Sequence, residues 1–283
     1  MDTGTHEVQR SDGAAAPTAT PGIAAARALL SWAVDRFGSR LAVVTSMQVE
    51  GVVVLDLIRD LDPDVRVILL DTGRLPAGTY RMVDEVRRRL AVNVEVWMPD
   101  PDQVRTMVAR HGAELFRYDY ALRRLCCHVR KVETLRRALV DVDAWVTGLR
   151  PGTAASRRHI APVESDAQYP GKAKINPLAS CDADEVLRYA RARNLPMHPL
   201  YEAGYRSIGC APCTRAPLPG EDERAGRWWW EPAPGDECGL HGASRSERFD
   251  AVLTQWRGDL ERDGASRGDL TRDLSRRDRK ERS

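Results

Sequence analysis

Missing from these 283 residues is any apolar run near the roughly eighteen that a membrane-crossing helix needs. The N-terminus, MDTGTHEVQRSDGAAAPTATPG, lacks the basic start and apolar middle of a secretory signal. Net charge is nearly absent too, with 43 Lys and Arg against 41 Asp and Glu. No overall field points to nucleic acid or an acidic membrane surface, so a charged ligand has to be held by local clusters. These absences describe a cytoplasmic chain with neither a membrane nor a nucleic-acid partner. Cysteine is scarce, at six residues. In a reducing compartment, cysteines that are few but grouped more often bind metal or do chemistry than form structural bridges. A 42% hydrophobic content still allows a core that folds without staples.

Strand-like and helix-like stretches alternate along the chain. Helical spacing over 23–37 precedes the strand LAVVT (41–45), and a second helix runs from Val52 to Leu61. VRVILLD (65–71), VEVWMP (94–99) and AWVTGL (144–149) read as further strands. TYRMVDEVRRRL and a long region from Pro101 to Leu139, broken near Gly112, read as helices. This alternation predicts an α/β fold, a parallel sheet with helices on both faces. Residues 1–20 read as a disordered tail. Residues 257–283 hold 16 charged residues in 27, so the region 244–283 reads as a charged, largely disordered tail.

Ligands of such sheets bind at the carboxyl ends of the strands. Those ends here are TSMQVEG, LDTGRLP and TGLRPGTAASRR. The first runs into a helix N-terminus, the second is a polar turn around Thr72, Gly73 and Arg74, and the third offers Arg150, Arg157 and Arg158. Free amides, hydroxyls and guanidinium groups on one rim suit a phosphate or sulfate.

The cysteines fall into distinct settings. Cys126 and Cys127 are adjacent in RLCCHVRK, where a disulfide would close almost no loop and strain the peptide. Cys210 and Cys213 form a C-x-x-C in SIGCAPCTRAP. Four thiolates from two distant segments suffice for tetrahedral zinc or for an iron–sulfur cluster; adjacent residues are easier to accommodate on a wide cluster than on one ion. Lys131 follows one turn after Cys127, where a cation offsets thiolate charge. Cys238, in GDECGLHG, has glycines on both sides and His241 three residues on, a setting for a reactive thiolate. Cys181 precedes a helix start and reads as packing. RWWW (227–230) reads as an anchor for a segment rather than a base-stacking platform.

LDTGRL, CCHVRKVETL, TGLR, INPLA, GYRSIGCAPCTRA, GEDERAGRWWWE and ECGLH together resemble the assimilatory adenylyl-sulfate (APS) reductases of bacteria, within the wider APS/PAPS reductase family. The resemblance runs from about residue 40 to residue 242. It implies an adenine nucleotide alpha-hydrolase-like (PP-loop-like) sheet and a 4Fe-4S cluster on Cys126, Cys127, Cys210 and Cys213, with Lys131 beside it. It also implies Cys238 as the nucleophile. Substrate contacts are implied for Ser46, Gln48 and Glu50, for Asp71, Thr72, Gly73, Arg74 and Leu75, for Gly148, Arg150 and Arg157, and for Arg224, Arg227 and His241. The implied reaction reduces APS to sulfite and AMP through an S-sulfocysteine, with thioredoxin as electron donor, in sulfate assimilation and cysteine biosynthesis. Residues 21–243 then form the reductase domain, with 220–243 a mobile segment carrying the catalytic cysteine; a homo-oligomer is compatible with all of this.

Some positions depart from the family pattern. Pro151 and Gly152 follow GLR where relatives carry a second Arg and an acidic or Gln residue, which leaves Arg157 to compensate. SMQVEG lacks a Ser-Gly-rich core, and Cys181 stands where relatives have Trp. The alternatives are a PAPS or dual APS/PAPS reductase and, more remotely, a zinc-stapled nucleotide-binding protein of the same broad fold or a non-catalytic binding module. The four grouped cysteines speak for APS, and SMQVEG speaks against a pyrophosphatase loop.

Overall fold

The layering starts from a two-residue period. In β1 (Leu41–Thr45), Leu41 and Val43 enter one core and Ala42 and Val44 the other; in β2 (Arg66–Leu70), Val67 and Leu69 oppose Ile68 and Leu70. Such strands are covered on both faces. The structure, a computed structural model, describes residues 20–152, 159–231 and 247–280.

Six strands form one sheet in the order β3-β2-β1-β4-β6-β5. Strands β3 (Val94–Trp97), β2, β1, β4 (Ala144–Val146) and β6 (Ala173–Ile175) are mutually parallel, and β5 (Val163–Ser165) pairs antiparallel to β6 at the edge. One face carries α1 (Pro21–Phe37), α2 (Val49–Arg59), α3 (Ala77–Leu90) and α7 (Ala183–Ala192). The other is covered by α6 (Glu133–Ala138), whose Leu135 and Ala138 pack with Trp145 and Tyr169.

Helix α2 is buried along nearly its whole length, including Asp56. That carboxylate accepts from Arg193 Nε at 3.0 Å and Tyr189 Oη at 2.9 Å, and Arg59 lies 3.1 Å away, so α2 and α7 are joined by a satisfied charge. The chain runs from β1 to β2 and β3 on one side of β1 and then crosses from β3 to β4 on the other. The loops after β1 and β4 therefore diverge and open a crevice at their carboxyl ends.

A third apolar cluster lies beside the sheet, built by α4 (Pro101–His111), α5 (Tyr120–Cys127) and α8 (Glu247–Lys280). Asp100 and Asp119 cap α4 and α5, each accepting from two backbone amides. The region expected to be a disordered tail departs from that expectation here. Phe249, Leu253 and Trp256 recur at helical spacing, and all three are buried against α4 and α5.

Candidate active site

The crevice holds a cavity of about 190 Å³, walled by the ends of β1, β2 and β4, by residues 206–209 and by residues 223–228. Its floor is a close backbone approach. A Cβ on Gly51 would stand 2.3 Å from Thr45 Oγ1, and one on Gly148 would stand 3.1 Å from Gly51 N. Only glycines let the start of α2 and the β4 loop come this near. Met47, fully buried, takes a left-handed φ of 59° to make the turn, and its amide donates to Thr45 Oγ1 at 3.1 Å. The α2 N-terminus thereby faces the cavity with its helix dipole, a setting for an anion.

Of the expected substrate residues, Ser46, Gln48, Glu50, Leu75, Gly148, Arg224 and Arg227 line this cavity. Gln48 also acts as a strut: its Oε1 accepts from Ile208 N at 2.7 Å and its Nε2 donates to Ser46 Oγ at 2.9 Å. Arg227 is buried, yet among the described residues its Nε has no hydrogen-bond partner, and the ring of Trp228 lies 4.7 Å from its guanidinium. A buried guanidinium with an unspent donor at a cavity wall suits a bound oxyanion.

Other expected contacts are spent elsewhere. Arg150 donates to Glu50 at 2.9 Å and to Glu223 at 3.0 Å, so it braces the wall. Asp71 accepts from Gly73 N at 2.8 Å and from Tyr80 Oη at 3.0 Å. Arg74 turns away to Glu114 and lies over Phe116. Thr72 Oγ1 meets Cys210 Sγ at 3.2 Å, and the Thr72 carbonyl accepts from Arg130 at 2.7 Å. The DTGR turn thus supports the cysteines, while Leu70 before it and Leu75 after it reach the cavity. Arg157, Cys238 and His241 lie outside the described residues.

All four cysteines from the two distant segments line one small cavity, ringed by Arg74, Arg123, Arg130 and Lys131. None is in a disulfide. Burial pushes the Cys126 thiol up, against the nearby Arg130, and burial together with Cys210 pushes Cys213 up to about 12. Gathered thiolates of this kind need added positive charge, which a metal supplies. Among the described residues no three His, Cys, Asp or Glu side chains are gathered closely enough to hold a single metal ion. A donor set of four unbridged cysteines around a cationic cavity fits a wider, multi-metal group better than one zinc.

Lys131 lines both cavities, so one side chain borders the thiols and the crevice alike. It sits in a π-helical turn, His128–Val132, directly after Cys127. Such turns recur at functional sites because the extra residue re-aims side chains. No feature of the sequence announced this turn. Sequence reasoning also missed Arg206, Ser207, Thr147 and Glu223 as cavity wall; their closeness to SIGC and TGLR was the available signal. Trp228 is buried and Trp230 packs on Phe116 at 6.0 Å, as expected of an anchor. Cys181 is buried in the main core.

Residues 40–216 match the profile described as the phosphoadenosine phosphosulfate reductase domain. The chain is 42% identical over 231 residues to adenosine 5'-phosphosulfate reductase of Burkholderia cepacia, covering 81% of this chain and 92% of that one. With the enzyme of that name from Allochromatium vinosum it shares 44% identity over 218 residues, covering 77% and 84%. A solved structure of phosphoadenylyl-sulfate reductase from Candida auris, a phosphate complex, superimposes with a TM-score of 0.58 at 28% identity, covering 68% of this chain and 90% of that one.

Proposed function

The chain belongs to the phosphoadenosine phosphosulfate reductase family, and from that premise we propose how its two adjoining cavities carry out the reduction of adenosine 5'-phosphosulfate. The observation that carries this reading is the shared wall at Lys131: a crevice suited to a nucleotide anion abuts a cavity lined by four cysteines outside any disulfide. PAPS-specific relatives have no use for such a cage, which favours APS; PAPS or dual use is the second reading.

Cys126, Cys127, Cys210 and Cys213 would hold a 4Fe-4S cluster. When bound it supplies local charge that polarises the sulfate end of the substrate. The residues of the chain do the rest. The α2 N-terminus, Lys131 and Arg227 bind the phosphosulfate and offset the charge that develops on the bridging oxygen as the S–O bond breaks. The Cys238 thiolate attacks sulfur, the bridging oxygen leaves with AMP, and S-sulfocysteine remains. A thioredoxin thiolate then attacks the Cys238 sulfur and expels sulfite. Its second thiol resolves the mixed disulfide, returning Cys238 as a thiol and leaving oxidised thioredoxin. Both electrons come from the donor dithiol. Among the described residues no helix is long and apolar enough to cross a membrane, and we place the reaction in the cytoplasm.

The test is anaerobic purification followed by an assay of thioredoxin-dependent sulfite release from APS and from PAPS. A brown protein that makes sulfite from APS is expected. Cys238→Ser should abolish turnover and keep the colour, whereas Cys127→Ser should lose it. A colourless protein that makes no sulfite would overturn the reading, and faster turnover of PAPS would select the second one.

A further inference from the structure

We propose that Glu223, by adding a second carboxylate to Arg150 at the mouth of the crevice, sets the site against nucleotides that carry a further phosphate. This deepens the reading above and rests on the crevice being the nucleotide site. The crevice has two unlike ends. Lys131 and Arg227 mark the end beside the thiols: Lys131 lines both cavities, Arg227 forms an antiparallel bridge with Thr214, and Trp228 N donates to the Cys213 carbonyl at 3.3 Å. At the other end Arg150 Nε donates to Glu50 at 2.9 Å and Nη2 to Glu223 at 3.0 Å, so two carboxylates share one guanidinium. Beside them Tyr201 Oη accepts from Val49 N at 3.1 Å. Burial raises the Cys126, Cys213 and Tyr201 groups alike, but different charges act on them. On the two thiols they come chiefly from Arg130, Arg227, the other cysteines, Arg74 and Lys131; on Tyr201 they come from Glu50, Arg150 and Glu223. The α2 N-terminus lies between the ends, with Gln48 reaching Ile208 on the Arg227 side and Glu50 reaching Arg150 on the other.

A nucleotide with its anionic group on Lys131 and Arg227 points its sugar toward the acidic end. A phosphate monoester added to that sugar carries about two negative charges near neutral pH. It would meet a guanidinium already claimed and two carboxylates beside it, and like charges brought together cost affinity. The two carboxylates do not contribute equally to this selection. Glu50 belongs to the first turn of α2 and its side chain is 17% exposed, so it braces the wall. Glu223 is 43% exposed and comes from the opposite wall, which puts its charge where an entering ligand passes. Without the Glu223 charge, Arg150 keeps one partner and presents a free edge that suits a phosphate. Arg206, exposed and lining the same crevice, is the cation that opposes the selection.

The experiment is calorimetric titration of the full-length protein, purified anaerobically, with AMP and with adenosine 3',5'-bisphosphate, neither of which can turn over. Wild type should bind AMP roughly tenfold or more tighter than the bisphosphate. Glu223→Gln should cut that preference to about threefold or less by strengthening the bisphosphate, and Glu223→Asp, which keeps the charge, should retain most of it. Asp141→Asn, which removes an exposed carboxylate that does not line the crevice, should leave the preference unchanged. Added KCl should shrink the difference between wild type and Glu223→Gln. The quantity read is a ratio of two affinities on one protein, so a merely structural loss weakens both ligands alike and leaves it unmoved. An unmoved ratio in Glu223→Gln therefore overturns the proposal. So does a wild type that binds the bisphosphate as tightly as AMP; loss of that binding in Arg206→Ala would then assign the extra phosphate to Arg206. If wild type binds neither nucleotide, the functional reading falls and the selection with it, whereas AMP binding without discrimination sinks the selection alone.

Discussion

Arg227 depends on a hydrogen atom. Its guanidinium rests where a side chain on Gly209 would be, since a Cβ there would stand 2.2 Å from Nη2. Gly209→Ala should push Arg227 off the cavity wall while the fold and the four thiols stay in place. The expected outcome is a loss of roughly tenfold or more in kcat/KM for APS, of the order that small misplacements of a binding group cause. Steady-state kinetics with circular dichroism as the folding control will check it. The same scale explains why Arg150 and Arg74, expected as substrate contacts, are found paired within the chain. An arginine in a loop at a strand end signals an anion, but it signals a carboxylate from the same chain equally well. Glu50, Glu223 and Glu114 claim these two. The cysteines were legible because a thiol has few structural uses when adjacent or paired at C-x-x-C spacing.

Among the elements, α1 depends on a side chain from far along the sequence. Thr20 offers no cap to its own helix. Instead the Glu185 carboxylate, only 8% exposed, accepts from Gly22 N at 3.0 Å and from the Thr20 hydroxyl. Glu185 itself lies in the first turn of α7, so one carboxylate serves two helix N-termini. Glu185→Ala should cost about 1–3 kcal/mol, the penalty for stranding buried donors, measured by urea unfolding. Its effect on APS turnover should be small, because α1 lies away from the cavity. The apolar runs of β1 and β2 were readable because both faces of a parallel strand are buried. By contrast β5 and β6 have three residues each and carry Glu164 and Lys174, paired at 2.9 Å, so no apolar run marks them. The stripe that docks α8 was hidden by the charges around and after it.

For the whole molecule, acid stability is set in part by one imidazole. His198 is 1% exposed; its Nδ1 accepts from Leu200 N at 3.2 Å, which leaves Nε2 to donate to Thr79 Oγ1 at 3.1 Å. Burial, with Arg81 nearby, pushes its pKa down to about 4 from 6.5. The unfolded chain therefore binds this proton first. Stability should be full above pH 6.5, fall as the pH drops from 6.5 to about 4, and lose nothing further from this group below that. The loss is at most about 3 kcal/mol. Urea unfolding at pH 7 and pH 4.5 should show a smaller difference for His198→Asn than for wild type. Nothing in the sequence distinguished this histidine, because its effect comes from packing between α3 and residues 199–201. The family fold and the thiol set were visible in the motifs, but the gathering of Cys126 and Cys127 with Cys210 and Cys213 around one cavity exists only in three dimensions.

That gathering has a bearing on how the protein is made. The thiols of Cys126 and Cys127 leave the ribosome well before those of Cys210 and Cys213, with α6, β4, β5, β6 and α7 translated in between. Thr72, held through its carbonyl by Arg130 from beside the first pair, meets Cys210 of the second. Half a cage is thus exposed on a nascent chain while the other half is still being synthesised. The four-thiol cavity can therefore close only after residue 213 has been made, when all six strands and α7 are already in the chain.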